Sequence, residues 1–333
     1  NRNKRSIALD LKSDSGREVL YKLVAQADIL VENYRPGVMK RLRTDYETLS
    51  AINPRLVYVS ISGFGQTGPW AGRPGFDLMA QAMSGIMSVT GHPDGPPAKA
   101  GVPVADIGCA LFATYGMLSA YIGAKATGRG QYVDASLFDS ALAFSIWDIS
   151  EYWGTGREPE QLGTANRMSA PYQAMKAADG HFVMGATNQK LWQTLCATLE
   201  RPDLLEDARF ATVSLRLANR HALIESLERS FAQRGCEHWI DRLLAVGIPA
   251  GPILSYPEAF ESEHGRHRRM RIEIDHPVEG KVPNIGFAVK MGGTPQQVRR
   301  APPLLGQHTA EVLAELGIDA PAQRELAAAG AFG

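Results

Sequence analysis

The chain has 333 residues, room for two domains, and its 44% hydrophobic and 21% charged residues are an ordinary globular balance. Its 35 Lys and Arg offset 35 Asp and Glu, which excludes a nucleic-acid or membrane-surface protein working by bulk electrostatics. The cysteines (Cys109, Cys196, Cys236) stand far apart with no CxxC pair, so no disulfide framework and no metal site is expected, and a reducing, cytoplasmic setting fits.

The chain opens at Asn1 without Met and enters at once a strand-like run, residues 6–11. That reads as entry into the middle of a domain, so a preceding segment is expected. Ser13 or Ser15 caps a helix over 16–24, whose apolar positions have helical spacing. A short apolar strand at 29–31 is closed by Glu32 to Gly37, and a helix follows over about 38–51. A strand at 56–62 then runs into Gly63-Phe64-Gly65-Gln66-Thr67-Gly68-Pro69. Strands separated by helices of this length indicate a parallel, doubly wound sheet, in which ligands bind at the carboxyl ends of the strands. Residues 33–37 and 63–69 lie where a ligand would, unless their glycines and prolines only make turns.

Helices rich in small residues are expected at 76–89 and 109–126, then a tight turn at 128–130 into a strand reaching Asp134. Asp139 opens an apolar helix to about residue 152, and a polar, Gly-rich linker occupies 154–163. Next come a hairpin of 172–176 with 180–185 about 178–180 and helices at 189–199, 220–232 and 236–245. A basic stretch (Arg266, Arg268, Arg269, Arg271) precedes strands at 271–275 and 282–289 and a closing helix to about residue 316. No apolar run approaches the roughly 20 residues that span a bilayer, and neither a membrane nor a nucleic acid is expected as a partner.

Asp106 is the residue with most to say about chemistry. It joins an apolar extended run to the helix beginning at Cys109. Asp is a favoured N-cap, and the positive end of the helix dipole would keep its carboxylate ionised. An ionised carboxylate, with the close backbone approach that Gly108 permits, is what a nucleophilic aspartate needs; a plain N-cap is the other reading.

Several segments, in this order, resemble the class III CoA-transferase family. They are Asn1-Arg2-Asn3-Lys4-Arg5-Ser6-Ile7, Asp28-Ile29-Leu30-Val31-Glu32-Asn33-Tyr34-Arg35-Pro36-Gly37, Asn53-Pro54-Arg55 and the stretch from Ser60 to Pro69. Ala82-Met83-Ser84-Gly85, Thr127-Gly128-Arg129-Gly130-Gln131, Gly247-Ile248-Pro249-Ala250-Gly251-Pro252 and Pro303-Leu304-Leu305-Gly306-Gln307-His308-Thr309 also match. The family includes formyl-CoA, crotonobetaine and succinate–hydroxymethylglutarate transferases, with α-methylacyl-CoA racemase as a divergent branch. Members carry further residues before the point matching Asn1.

The resemblance implies an α/β fold: a Rossmann-like parallel-sheet large domain, a smaller α+β domain, and two chains interlocked as a homodimer. On this chain that places the large, CoA-binding domain at 1–155, linker and small domain at 156–275, and the return to the large domain at 276–333. It implies Asp106 as nucleophile and CoA contacts at Leu9, Lys12, Asn33, Tyr34, Arg35 and Arg41. Lys12, Arg35 and Arg41 suit the phosphates of CoA through charge-assisted hydrogen bonds, against the alternative of solvated surface charges. The implied activity moves CoA from an acyl-CoA donor to a carboxylic acid through an aspartyl anhydride and an aspartyl–CoA thioester. CoA is then substrate, and no permanently bound cofactor is needed.

Two departures bear on the branch. Racemases place a His before the Asp of a Gly-His-Asp segment, whereas this chain has Gly75-Phe76-Asp77. Phenylalanine exchanges no proton, which favours transferase over racemase. An inactive CoA-binding paralogue is the third reading, disfavoured by the presence of Asp106. Residues 163–173 lack the glycine run that closes over the intermediate in formyl-CoA transferases and look closer to the succinate–hydroxymethylglutarate type. There Asn166 or Arg167 is expected to meet a polar acceptor, with a structural loop arginine as the alternative.

Overall fold

A computed structural model describes residues 1–332. In chain order the elements are α1 (Asp14–Gln26), β1 (Ile29–Glu32), α2 (Val38–Arg41), α3 (Tyr46–Ile52), β2 (Val57–Ser62), α4 (Asp77–Met83), α5 (Ile86–Val89), α6 (Val104–Thr127), β3 (Tyr132–Ser136), α7 (Leu137–Ala143) and α8 (Ile146–Thr155). Then come β4 (Tyr172–Lys176), β5 (His181–Gly185), α9 (Gln189–Thr198), α10 (Asp203–Glu206), α11 (Val213–Ala218), α12 (Arg220–Phe231), α13 (Cys236–Ala245), β6 (Ala250–Pro252), α14 (Tyr256–Glu261) and α15 (Glu263–His267). The chain closes with β7 (Arg271–His276), β8 (Gly280–Ile285), α16 (Thr309–Glu315) and α17 (Ala320–Ala328).

The chain divides into two compact units. One comprises residues 1–88, 97–159 and 269–333; the other comprises 89–96 and 160–268. The strand expected at 271–275 therefore falls in the first unit, where β7 pairs antiparallel with β8, rather than with residues 156–275.

The first unit is built on a parallel sheet of order β1-β2-β3, with Leu30 opposite Tyr58 and Tyr58 opposite Tyr132. Side chains alternate along β2, so both faces are covered. Leu56 and Tyr58 pack with Val24, Met39 and Leu49 on one face. On the other, Val57 and Val59 meet Ala113, Ala120 and Ala124 of α6. Alanine at those positions brings the helix close to the strands. The 24-residue α6 carries an 18-residue window of mean hydropathy 1.4. By length and hydropathy alone it could cross a bilayer, contrary to the expectation from the sequence; one such helix is weak evidence, since core helices share the property. A further cluster of Ala80, Ala105, Cys109, Leu137 and Ala141 gathers α4, α6 and α7 beside Ile61 near the end of β2.

Residues 6–11 form no strand. Their backbone is satisfied by the chain's far end: His308 N–H donates to the Ser6 carbonyl and Asp10 N–H to the Ala331 carbonyl, at 2.9 and 2.8 Å. Three expected helices are each two. The 38–51 segment breaks at Arg43 (φ 56°), 76–89 breaks at Gly85 (φ 89°), and the helix from Asp139 breaks between α7 and α8. The closing helix at α16 is followed by α17, capped by Asp319.

The second unit has its own core under the antiparallel sheet β4-β5-β6. Phe182 and Phe231 meet edge to face at 5.1 Å, and the Trp239 indole N–H donates to the Phe231 carbonyl at 2.7 Å.

Candidate active site

The parallel strands end together, and a buried carboxylate ties their exit loops. Glu32, the last residue of β1 and 9% exposed, accepts from the Ser60 hydroxyl and, at 2.7 Å, from the Tyr34 N–H. Gln66 donates its side-chain amide to Ser60 Oγ at 2.8 Å and its backbone N–H to Asp134 of β3 at 2.9 Å. One network thus holds loop 33–37 and loop 63–69 to β1, β2 and β3. Beside it lies a cavity of about 420 Å³ lined by Arg35, Lys40, Tyr46, Tyr58, Gln66 and Tyr132 among others.

The expected CoA contacts fall into two groups. Asn33, Tyr34 and Arg35 are exposed on the β1 exit loop. Arg41 belongs with them: its Nη1 lies 3.6 Å from where a Cβ on Gly37 would stand. Gly37 itself has φ 83°, a conformation that favours glycine. Lys12 is exposed in the turn before α1, a turn that Arg17 holds through the Leu11 and Lys12 carbonyls at 2.9 and 2.8 Å. Leu9 packs with Val19, Leu313 and Ile318, so its side chain serves the fold.

Asp106 is not an N-cap. The helix begins two residues earlier, at Val104, behind Pro103, which offers no capping side chain. The cap comes from Asp77 at the start of α4. Its Oδ1 accepts the Ala105 and Asp106 N–H groups at 2.9 and 3.3 Å. Its Oδ2 takes the side-chain amide of fully buried Gln81 at 2.6 Å, and Gln81 in turn accepts the Ala100 N–H at 2.9 Å. This arrangement frees the Asp106 carboxylate: among the described residues no donor reaches it. Asp106 is exposed, but its neighbours displace part of the water around the carboxyl and raise it above the ordinary carboxylate range, and the Asp77 charge adds to the effect, opposite to the dipole-driven lowering expected from the sequence.

Gly108 also serves differently from expectation. A Cβ there would stand 2.5 Å from the Phe144 ring, so the missing side chain admits Phe144. Cys109, buried one residue on, has its thiol pushed up by burial and stays protonated at neutral pH, which disqualifies it as a rival nucleophile. Phe76 is 70% exposed and has no proton to exchange.

In the second unit, Asn166 Oδ1 accepts the Met168 N–H at 2.9 Å, and Arg167 Nη2 donates to the Glu160 carbonyl at 2.7 Å. Arg216 and Arg220 bond the same loop at the Ala170 and Asn166 carbonyls. Sequence reasoning missed both; their only signal is two arginines four residues apart across adjoining helices.

Comparison with known proteins gives a consistent answer. Residues 1–309 match the model of CoA-transferase family III. The succinyl-CoA:glutarate CoA-transferase of Homo sapiens is 36% identical over 331 residues, covering 99% of this chain and 76% of the relative. The acetyl-CoA:oxalate CoA-transferase of Acetobacter aceti is 40% identical over 294 residues, covering 88% of this chain and 74% of the relative. The crystal structure of a CaiB/BaiF family protein from Brucella suis superposes with a TM-score of 0.81 at 39% identity, covering 95% of this chain and 82% of that one. The chain therefore belongs to CoA-transferase family III and is a CoA-transferase acting on an acyl-CoA and a carboxylic acid.

Proposed function

We propose that Asp106 is the nucleophile of this transferase and that the CoA acceptor is a dicarboxylic acid. The observation that carries the first part is the unencumbered Asp106 carboxylate, whose helix start is capped by Asp77 instead. A carboxylate with a raised pKa is a stronger nucleophile once ionised. Asp106 attacks the thioester carbonyl of the donor; the acyl–aspartyl anhydride forms as the C–S bond breaks and CoA leaves as thiolate. A thiolate is a far better leaving group than an alkoxide, which makes that departure feasible. The thiolate then attacks the aspartyl carbonyl, releasing the donor's carboxylate and leaving an enzyme–CoA thioester. The acceptor carboxylate attacks that thioester, and the same steps run in reverse to restore Asp106 and release the new acyl-CoA. Thioester energy is kept throughout, and no proton donor is needed at the reacting carbonyl.

Asn33, Tyr34, Arg35 and Arg41 at the β1 exit, with Leu9 and Lys12 before α1, form the CoA site in this reading. The place of Asn33, Tyr34 and Arg35 directly after β1, at the carboxyl end of the parallel sheet, supports it. Glutarate and oxalate, named for the two relatives, are both dicarboxylates. Asn166 and Arg167 meet the acceptor's second carboxylate. The large unit is Rossmann-like, and two chains pair as an interlocked homodimer. Ile107, Leu111, Tyr115, Leu118 and Ile122 support the pairing as one exposed stripe along α6, and Trp147 and Trp153 of α8 are exposed as well. Free cysteines, two of them buried, support a reducing, cytoplasmic setting.

The test is mass spectrometry of the protein incubated with succinyl-CoA, followed by chromatography with a panel of dicarboxylic acids. A CoA adduct on Asp106 and a new thioester, both lost in Asp106→Ala, are expected. Exchange of an acyl-CoA α-proton with solvent deuterium, without any adduct, would return the racemase reading.

A further inference from the structure

The second unit holds two arginines against one loop, and among the described residues neither pairs with an acid. Arg216 of α11 is fully buried, 0% exposed. Its Nε donates to the Ala170 carbonyl at 3.3 Å, and its Nη1 donates to the Phe210 carbonyl at 2.8 Å and to Gln189 Oε1 at 3.0 Å. The guanidinium lies 5.1 Å from the centre of the Trp192 ring. Arg220, the first residue of α12, donates its Nη2 to the Asn166 carbonyl. Arg216 Nη2 and Arg220 Nε are buried without a hydrogen-bond partner among the described residues. Burial lowers both guanidinia from the usual arginine range, and the nearby Arg167 charge adds to this at Arg220.

Burying a guanidinium without an acid costs free energy, which hydrogen bonds to uncharged oxygens and, at Arg216, the Trp192 ring offset only in part. Packing therefore does not account for the pair. What the two share is a target: the carbonyls of Asn166 and Ala170 bracket the turn that presents Asn166 and Arg167. A guanidinium fixes direction as well as distance, because its donors sit in a rigid planar fork. Within the turn, Asn166 Oδ1 takes the Met168 N–H and Arg167 Nη2 holds the Glu160 carbonyl. The side chains are thus braced from inside the loop and the backbone from α11 and α12.

We infer that Arg216 and Arg220 are positioning residues that fix the backbone of residues 166–170 and so set the preference for acceptors with a second carboxylate. The inference rests on the reading above that this loop meets the acceptor. Neither guanidinium contacts the acceptor; both act through the loop.

The experiment compares the wild-type chain with Arg220→Lys, Arg220→Gln and Arg216→Lys. With saturating succinyl-CoA as donor, KM and kcat are measured for glutarate and for pentanoate, which has the same length and one carboxylate. The yield of the Asp106–CoA adduct without acceptor and the melting temperature are recorded alongside. The expected result is a glutarate KM raised on the order of tenfold, an unchanged pentanoate KM, and a wild-type adduct yield. Arg220→Lys is only partly buried and keeps the charge, so it reports even if Arg216→Lys fails to fold. Glutarate and pentanoate constants that move together, or an unchanged glutarate KM, overturn the inference while leaving the transferase reading intact. A wild-type chain that forms neither adduct nor new thioester sinks that reading, and the inference falls with it.

Discussion

Asp77 and Asp106 are 29 positions apart, and the Asp77 carboxylate accepts the Asp106 N–H. With Asp106 as the proposed nucleophile, rate depends on its ionised form, and activity should fall as the pH drops through the raised value of its carboxyl. Asp77→Asn removes the adjacent negative charge yet keeps an oxygen for the two helix N–H groups. The acid limb of kcat/KM should therefore move to lower pH; a limb that stays in place or moves upward would show that Asp77 does not act on Asp106 electrostatically. Asp77→Ala loses the cap as well and should cost about 1 kcal/mol of stability in denaturant titration. The sequence singled out Asp106 as either a cap or a nucleophile at the start of a small-residue helix. That it is free of capping duty was not legible, since the residue that relieves it lies on another helix.

Elements meet at the site through glycine. Gly63, leaving β2, and Gly75, entering α4, stand back to back: a Cβ on Gly63 would lie 2.9 Å from the Gly75 Cα. That contact keeps the loop after β2 against the helix start that carries Asp77. Gly63→Ala must push the two backbones apart, at about 1–3 kcal/mol. We expect kcat to fall about ten- to hundredfold as the cap shifts, with a measurable drop in melting temperature; full activity would mean that the close approach serves stability alone. The same scale holds the errors in helix length. Apolar spacing continues across residues 38–51 and 76–89, so periodicity alone joins what Arg43 and Gly85 separate by turning into the left-handed region. Residues 6–11 alternate like a strand, yet their partners are residues 308, 309 and 331, far from them in the chain.

For the whole molecule, α6 poses the main question. Its inner face is buried on the sheet, while the stripe from Ile107 to Ile122 faces outward. A stripe this size needs a cover, and a second copy of the chain is the proposed one. Sedimentation velocity should give twice the chain mass for the wild type and a shift towards one chain mass for Leu111→Asp with Leu118→Asp. A wild type that sediments at one chain mass without detergent would refute the pairing.

By itself the sequence determined the parallel strands, the hairpin of the second unit, the family, and which carboxylate to suspect. Those depend on local periodicity and on motifs that lie within a few residues of one another. Only the tertiary structure decided which carboxylate caps α6, what fills the space at Gly108, and that Arg216 and Arg220 brace the 166–170 loop. Each of these is a contact between distant segments, and its energy comes from burial and hydrogen-bond geometry that exist only once the chain has packed.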